Sequence, residues 1–135
     1  MSVGSRRESR ERALSLLYEA EVKDLSPSDL LAELPLQPEA FVADLVHGVD
    51  VNQARIDGLI GRYAVDWTLD RMPAVDRNLL RLAVYELLER PDVPLGAVIS
   101  EAVELAKRYS TDDSGRFVNG MLSSIAEEVR PDPGT

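Results

Sequence analysis

Residues 6–12 read RRESRER, four arginines in seven positions, in a chain of 135 residues whose formal net charge is −9. Guanidinium groups at this density suit neutralisation of phosphate. With two glutamates interspersed the stretch carries +2, while the rest sets eleven Lys and Arg against twenty-two Asp and Glu, or −11. Such a split marks an arm for a polyanion; the other reading is a solvated first helical turn held by i,i+4 pairs. On a helical wheel Arg6, Arg7 and Arg10 fall within about 100° of one another, and Glu8, Glu11 and Arg12 point elsewhere. The same edge continues through Leu14 to Tyr18. A basic stripe ending in an aromatic suits phosphate contacts beside a stacked base or a partner side chain, and Tyr18 equally suits a half-buried core position.

The remaining reactive side chains do not form a catalytic set. His47 follows Asp44 by three residues on one helix, with no serine or cysteine nucleophile marked out nearby, and reads as structural. The pair Asp112–Asp113 opens a helix, where carboxylates satisfy free amides and the positive helix end. No cysteine is present, which excludes disulfides and thiolate metal sites, and one histidine does not make a zinc site. Glycine-rich phosphate loop, HExxH motif and nucleophile elbow are all missing. No enzyme, cofactor or metal is expected. Glu86 stands apart, because the wheel places it amid Val75, Leu79, Leu82 and Ala83 on an inward face. A buried carboxylate needs charges or amides around it, so Glu86 is expected to bond a basic side chain or backbone N–H groups at a helix junction.

The elements that must position these residues are helical throughout. Apolar residues recur at spacings of three and four, and no strand-length alternation occurs. The first helix is expected over Ser5–Lys23. SPSD at 26–29 starts a short second helix, with Ser26 as N-cap and Pro27 at the first helical position. A third begins at Pro38 and breaks between Gly48 and Asn52; a fourth covers Gln53–Ala64. After Pro73, AVDRNLLRLAVYELLER is apolar nearly all round, the mark of a central helix contacted on several sides. A sixth helix covers 96–109. STDDS at 110–114 supplies N-cap candidates, Asp112 or Asp113 foremost, for a seventh. Gly120 within it is expected where another helix approaches closely. The expectation is an all-α, compact single domain of six or seven helices over residues 1–130, with a disordered tail at 131–135. At 44% apolar and 29% charged the composition is that of a soluble globular protein. The charged N-terminus lacks an apolar h-region and no run approaches about 18 apolar residues, so a cytoplasmic protein is expected.

Three blocks, RRESRERALSLLYEAE, WTLDRMPAVDRNLLRLAVYELL and VISEAVELAKRYSTDDSGRFVNGML, together resemble the NusB family of transcription antitermination factors. The likeness covers nearly the whole chain, and EAVELAK…FVNG is its most specific part. It departs where Glu8 and Glu11 interrupt the arginines and soften their positive field. The resemblance implies two packed helical bundles without enzymatic activity. It implies a heterodimer with NusE, also a small-subunit ribosomal protein, that binds boxA RNA of nascent transcripts, notably ribosomal RNA. Other Nus factors and RNA polymerase are implied indirectly. Some relatives are homodimers that cover the arginine region, so self-association is among the implied partners. Carried over by residue, Arg6, Arg7 and Arg10 become RNA contacts; Tyr18, Asp76, Arg81, Asp113 and Phe117 become candidates for the partner surface or RNA edge. Lys107, about 80° off the apolar face of the sixth helix, is a further candidate RNA contact. Two rivals remain. One is a helical scaffold that binds only protein; the other is the NusB-like domain of an RNA cytosine methyltransferase, which the missing cofactor loop and cysteine disfavour.

Overall fold

Helix boundaries fall where proline and capping chemistry put them. The computed structural model describes residues 6–65 and 67–131. They form α1 (Arg6–Lys23), α2 (Pro27–Glu33), α3 (Ala40–Val51), α4 (Gln53–Tyr63), α5 (Ala74–Glu89), α6 (Leu95–Tyr109) and α7 (Asp112–Val129), with a 3₁₀ turn at Leu69–Arg71. The expected helix start at Ser5 lies outside the described residues, as does the expected tail apart from Pro131. Ser26 caps α2 as its position predicts, its Oγ accepting from the Asp29 N–H at 3.1 Å. For α7 the cap is one residue earlier than expected. Thr111 Oγ1 accepts from the Ser114 N–H at 2.9 Å, which leaves Asp112 and Asp113 as first-turn residues favoured by the helix dipole rather than caps.

α5 is the axis of the molecule, packing against α1, α3, α4, α6 and α7. Helices α1 to α3 gather on one side of it and α4, α6 and α7 on the other, giving two bundles that share one buried helix. Arg130, just past α7, fastens the far end of α5 by donating to the carbonyls of Glu86, Leu87 and Arg90 and of Val93 in the following turn. Glu86 O also accepts from the Arg90 N–H and Arg90 O from the Val93 N–H, so the guanidinium, with several donors at once, adds to the local bonds at this helix end.

Two glycines part company with the expectation. Gly48 does not break α3, which runs on to Val51; it lets α5 approach, since a Cβ there would sit 2.2 Å from Cζ of Tyr85. Gly120 is exposed, and a Cβ would meet nothing within 4 Å. No helix crosses close to it, so the expected packing role is absent.

Candidate nucleic-acid and partner interfaces

The three arginines predicted to share one exposed edge point to three different helices. Arg10 is 6% exposed and Glu86 1%. The Arg10 guanidinium donates through Nε and Nη2 to the two Glu86 oxygens at 2.9 and 2.7 Å. Glu86 is thus buried and bonded to a basic side chain, as its wheel position requires. For Arg10 the outcome corrects the reading: α5 closes over that side of α1, so Arg10 is withdrawn from the exposed edge and spent on an internal ion pair. Arg7 lies at the α6 side, its Nε and Nη2 donating to Glu101 at 2.9 and 2.8 Å. Those bonds hold the Glu101 carboxyl below its ordinary value, against the opposing effect of burial. Arg6 turns toward α3, its guanidinium 3.8 Å from the centroid of the Phe41 ring, with Arg90 also near that ring at 5.0 Å.

Arg6, Arg7, Arg10 and Glu101 border a shallow cleft of about 660 Å³ between α1 and the start of α6, with Asp92, Pro94 and Ala97 also in its lining. Lys107 is not part of it. It lies six residues past Glu101, exposed, with its methylenes over Gly115 of α7, where a Cβ would come within 2.9 Å of Lys107 Cγ.

A second cleft, of about 790 Å³, opens at the other end of α6, bordered by the end of α4 and the loop after it, the start of α5, and α7 as far as Ser124. Trp67 and Phe117 meet there edge to face, with ring centroids 5.4 Å apart. Asp76 lies among the lining residues, fully buried, and neither of its carboxylate oxygens has a hydrogen-bond partner among the described residues. Asp113 stands exposed at the rim, paired with Arg116 one turn along. Three of the five predicted partner residues, Asp76, Asp113 and Phe117, are therefore brought together. Arg81 is not among them: it faces α4, bonding Asp57 at 2.9 and 3.0 Å, beside a separate polar cleft with Glu21 and Asp50. Tyr18 is 50% exposed on α1 and lines neither the aromatic nor the arginine cleft.

Residues 7–127 match the NusB family. The chain belongs to the NusB family. It is 52% identical over 131 residues to a transcription antitermination protein NusB of Salinispora arenicola (strain CNS-205), covering 91% of this chain and 96% of that one. It is 50% identical over 129 residues to a protein of the same name from Thermobifida fusca (strain YX), covering 93% and 91%. Among solved structures, a T. maritima NusB superposes with a TM-score of 0.85 at 39% identity, covering 97% of this chain and 96% of that one. A chain from a crystal of antitermination factors NusB and NusE with double-stranded RNA gives 0.78 at 29% identity, covering 91% and 96%.

Two residues that were not among the candidates shape the clefts. Trp67, the single tryptophan, in the stretch between α4 and α5, forms half of the aromatic contact. Phe41 of α3 carries the Arg6 contact. His47 is exposed, its Nδ1 2.9 Å from Ser28 Oγ, while Asp44 instead takes the Tyr85 hydroxyl and Arg90. No cluster of metal-ligating side chains occurs among the described residues, and no helix among them is long and apolar enough to cross a membrane.

Proposed function

We propose that this chain is a transcription antitermination factor that works in the cytoplasm by binding rather than catalysis, pairing with NusE and holding boxA RNA of nascent transcripts, ribosomal RNA among them. The observation that carries this reading is the segregation of two unlike surfaces at opposite ends of α6, a helix of 15 residues and hence about 22 Å. One end offers Arg6 and Arg7 to a phosphate backbone. The other offers aromatic rings and the exposed Asp113 carboxylate, with Asp76 enclosed behind them, a combination suited to a basic ribosomal protein. Tyr18 and Arg81 extend the partner face or the RNA edge, and contacts to other Nus factors and RNA polymerase follow from the assembled complex. Self-association through the arginine end would compete with RNA. All of the folded chain acts as one domain in this reading.

Fluorescence anisotropy of labelled boxA RNA, with and without NusE, tests the proposal. NusE should tighten RNA binding by the wild-type chain. Phe117→Ala should abolish that enhancement with the helical circular dichroism unchanged, and Arg6→Ala should weaken RNA binding with NusE affinity preserved. A chain that binds NusE but never RNA would be the protein-only scaffold instead. One that binds neither would overturn both readings.

A further inference from the structure

Arg7 already holds an anion. Its guanidinium presents the Nε–Nη2 edge to both oxygens of Glu101, at 2.9 and 2.8 Å, and that edge is the fork with which arginine grips phosphate in a bidentate way. We propose that Glu101 occupies, in the free protein, the place that an RNA phosphate takes on Arg7, so that Glu101 is an intramolecular competitor that sets RNA affinity. The inference rests on the RNA-binding reading given above.

The two arginine–glutamate pairs of this region differ in whether they can open. Arg10 and Glu86 are both enclosed, so parting them would strand two charges away from water. Arg7 and Glu101 side chains are 39% and 21% exposed, and such a pair gives way at small cost, a factor of about five at most. Both border the arginine cleft, where an incoming phosphate would have open access. While Glu101 holds the Nε–Nη2 edge, a phosphate is left only the Nη1 side of the guanidinium, where it would still feel the Glu101 carboxylate. The surroundings reinforce this. Glu11 and Glu104 also act on Arg7 across space, and Asp92 stands near Arg6. An arginine that carries its own counter-charge displaces little salt from RNA. Arg7 therefore adds less to the salt dependence of binding than its formal charge suggests.

The test uses the full chain and a single-stranded boxA oligonucleotide, titrated by anisotropy at two salt concentrations with and without NusE. Glu101→Gln keeps the shape and removes the charge. Glu127→Gln, at an exposed position of α7 that does not line the cleft, makes the same change in net charge. Relative to Glu127→Gln, Glu101→Gln should tighten RNA binding about two- to fivefold. It should also steepen the slope of log affinity against log salt by about 0.7, the share of one added contact to a single strand. In an Arg7→Ala background the same substitution should gain nothing beyond the control. If wild type binds RNA and Glu101→Gln matches Glu127→Gln in affinity and slope, Glu101 is no competitor, and the RNA reading stands without it. RNA binding by Glu101→Gln in the absence of wild-type binding would support the proposal in its strongest form. If neither binds RNA under any condition, the RNA reading itself falls and this inference with it.

Discussion

Replacing Glu86 by alanine removes one half of an ion pair that water barely reaches. The Arg10 guanidinium would lose both of its hydrogen bonds to carboxylate and remain enclosed between α1 and α5. Breaking a buried pair from one side costs about 3–5 kcal/mol, because the surviving charge is left uncompensated. For 135 residues at about 0.05–0.15 kcal/mol each, total stability is roughly 7–20 kcal/mol, so the loss is a large fraction of it. At about 3–4 °C per kcal/mol for a domain of this size, the melting temperature should fall by roughly 10–20 °C. Urea unfolding gives the free energy directly, and an unchanged m-value would assign the shift to the native pair rather than to the unfolded chain. The double variant Arg10→Met with Glu86→Leu should recover most of the loss, since an apolar pair of similar volume needs no compensation. A loss below about 1 kcal/mol for Glu86→Ala, or a double variant no better than the single, would refute the enclosed-charge reasoning. The double variant also retains wild-type RNA binding if Arg10 is the internal residue described here.

Other substitutions follow from the same geometry. Gly120→Ala should stabilise the fold by about 1 kcal/mol in thermal or urea unfolding, because the new methyl meets open space in mid-helix. Gly48→Ala should cost about 1–3 kcal/mol in the same assay, since the buried Tyr85 ring, tied to Asp44 at 2.8 Å, must move aside. Arg130→Met should lower stability by about 2–3 kcal/mol, leaving the carbonyls at the end of α5 without their charged donor, and hydrogen exchange should rise in residues 86–93.

How far these features were legible depends on whether one helix or several decide them. Helix boundaries at Ser26, Pro73 and Pro94 are local events, written in residues that terminate or cap whatever the fold. The all-round apolar pattern of α5 likewise announced a helix enclosed on every side, and Glu86 within it demanded a counter-charge. The fate of the arginines is a different kind of fact. Arg6, Arg7 and Arg10 are close on the wheel, yet α3, α6 and α5 each close on a different part of that arc, through Phe41, Glu101 and Glu86. A wheel for one helix cannot show which neighbours arrive. Thr111 and Asp112 compete for one cap within the same polar run, and a single step of register decides between them. The aromatic cleft is assembled from three places in the chain, Trp67, Asp76 and Phe117, with no spacing that announces it. As partner-surface candidates, Asp76, Asp113 and Phe117 came forward through the family resemblance alone.

The pairing of the arginines changes what the net charge of −9 means for binding. Of the four arginines in residues 6–12, Arg10 is neutralised internally and Arg7 is answered by Glu101 in the free protein, which leaves Arg6 at the cleft and Arg12, on another side of α1, to confront a polyanion. Two cations at the end of a strongly acidic body make a weak electrostatic site, because the field of the whole protein opposes the approach of RNA. A basic partner seated at the far end of α6 would cancel part of that opposing field. It would also bring its own cations to the RNA. On the proposed function, dependence of RNA binding on NusE is then a consequence of charge rather than of a conformational change. It should weaken steadily as salt screens the acidic body, with the screening length falling from about 30 Å at 0.01 M to about 10 Å at 0.1 M. A partner effect carried by a shape change would persist across that range. Measuring the NusE enhancement at both salt concentrations separates the two mechanisms.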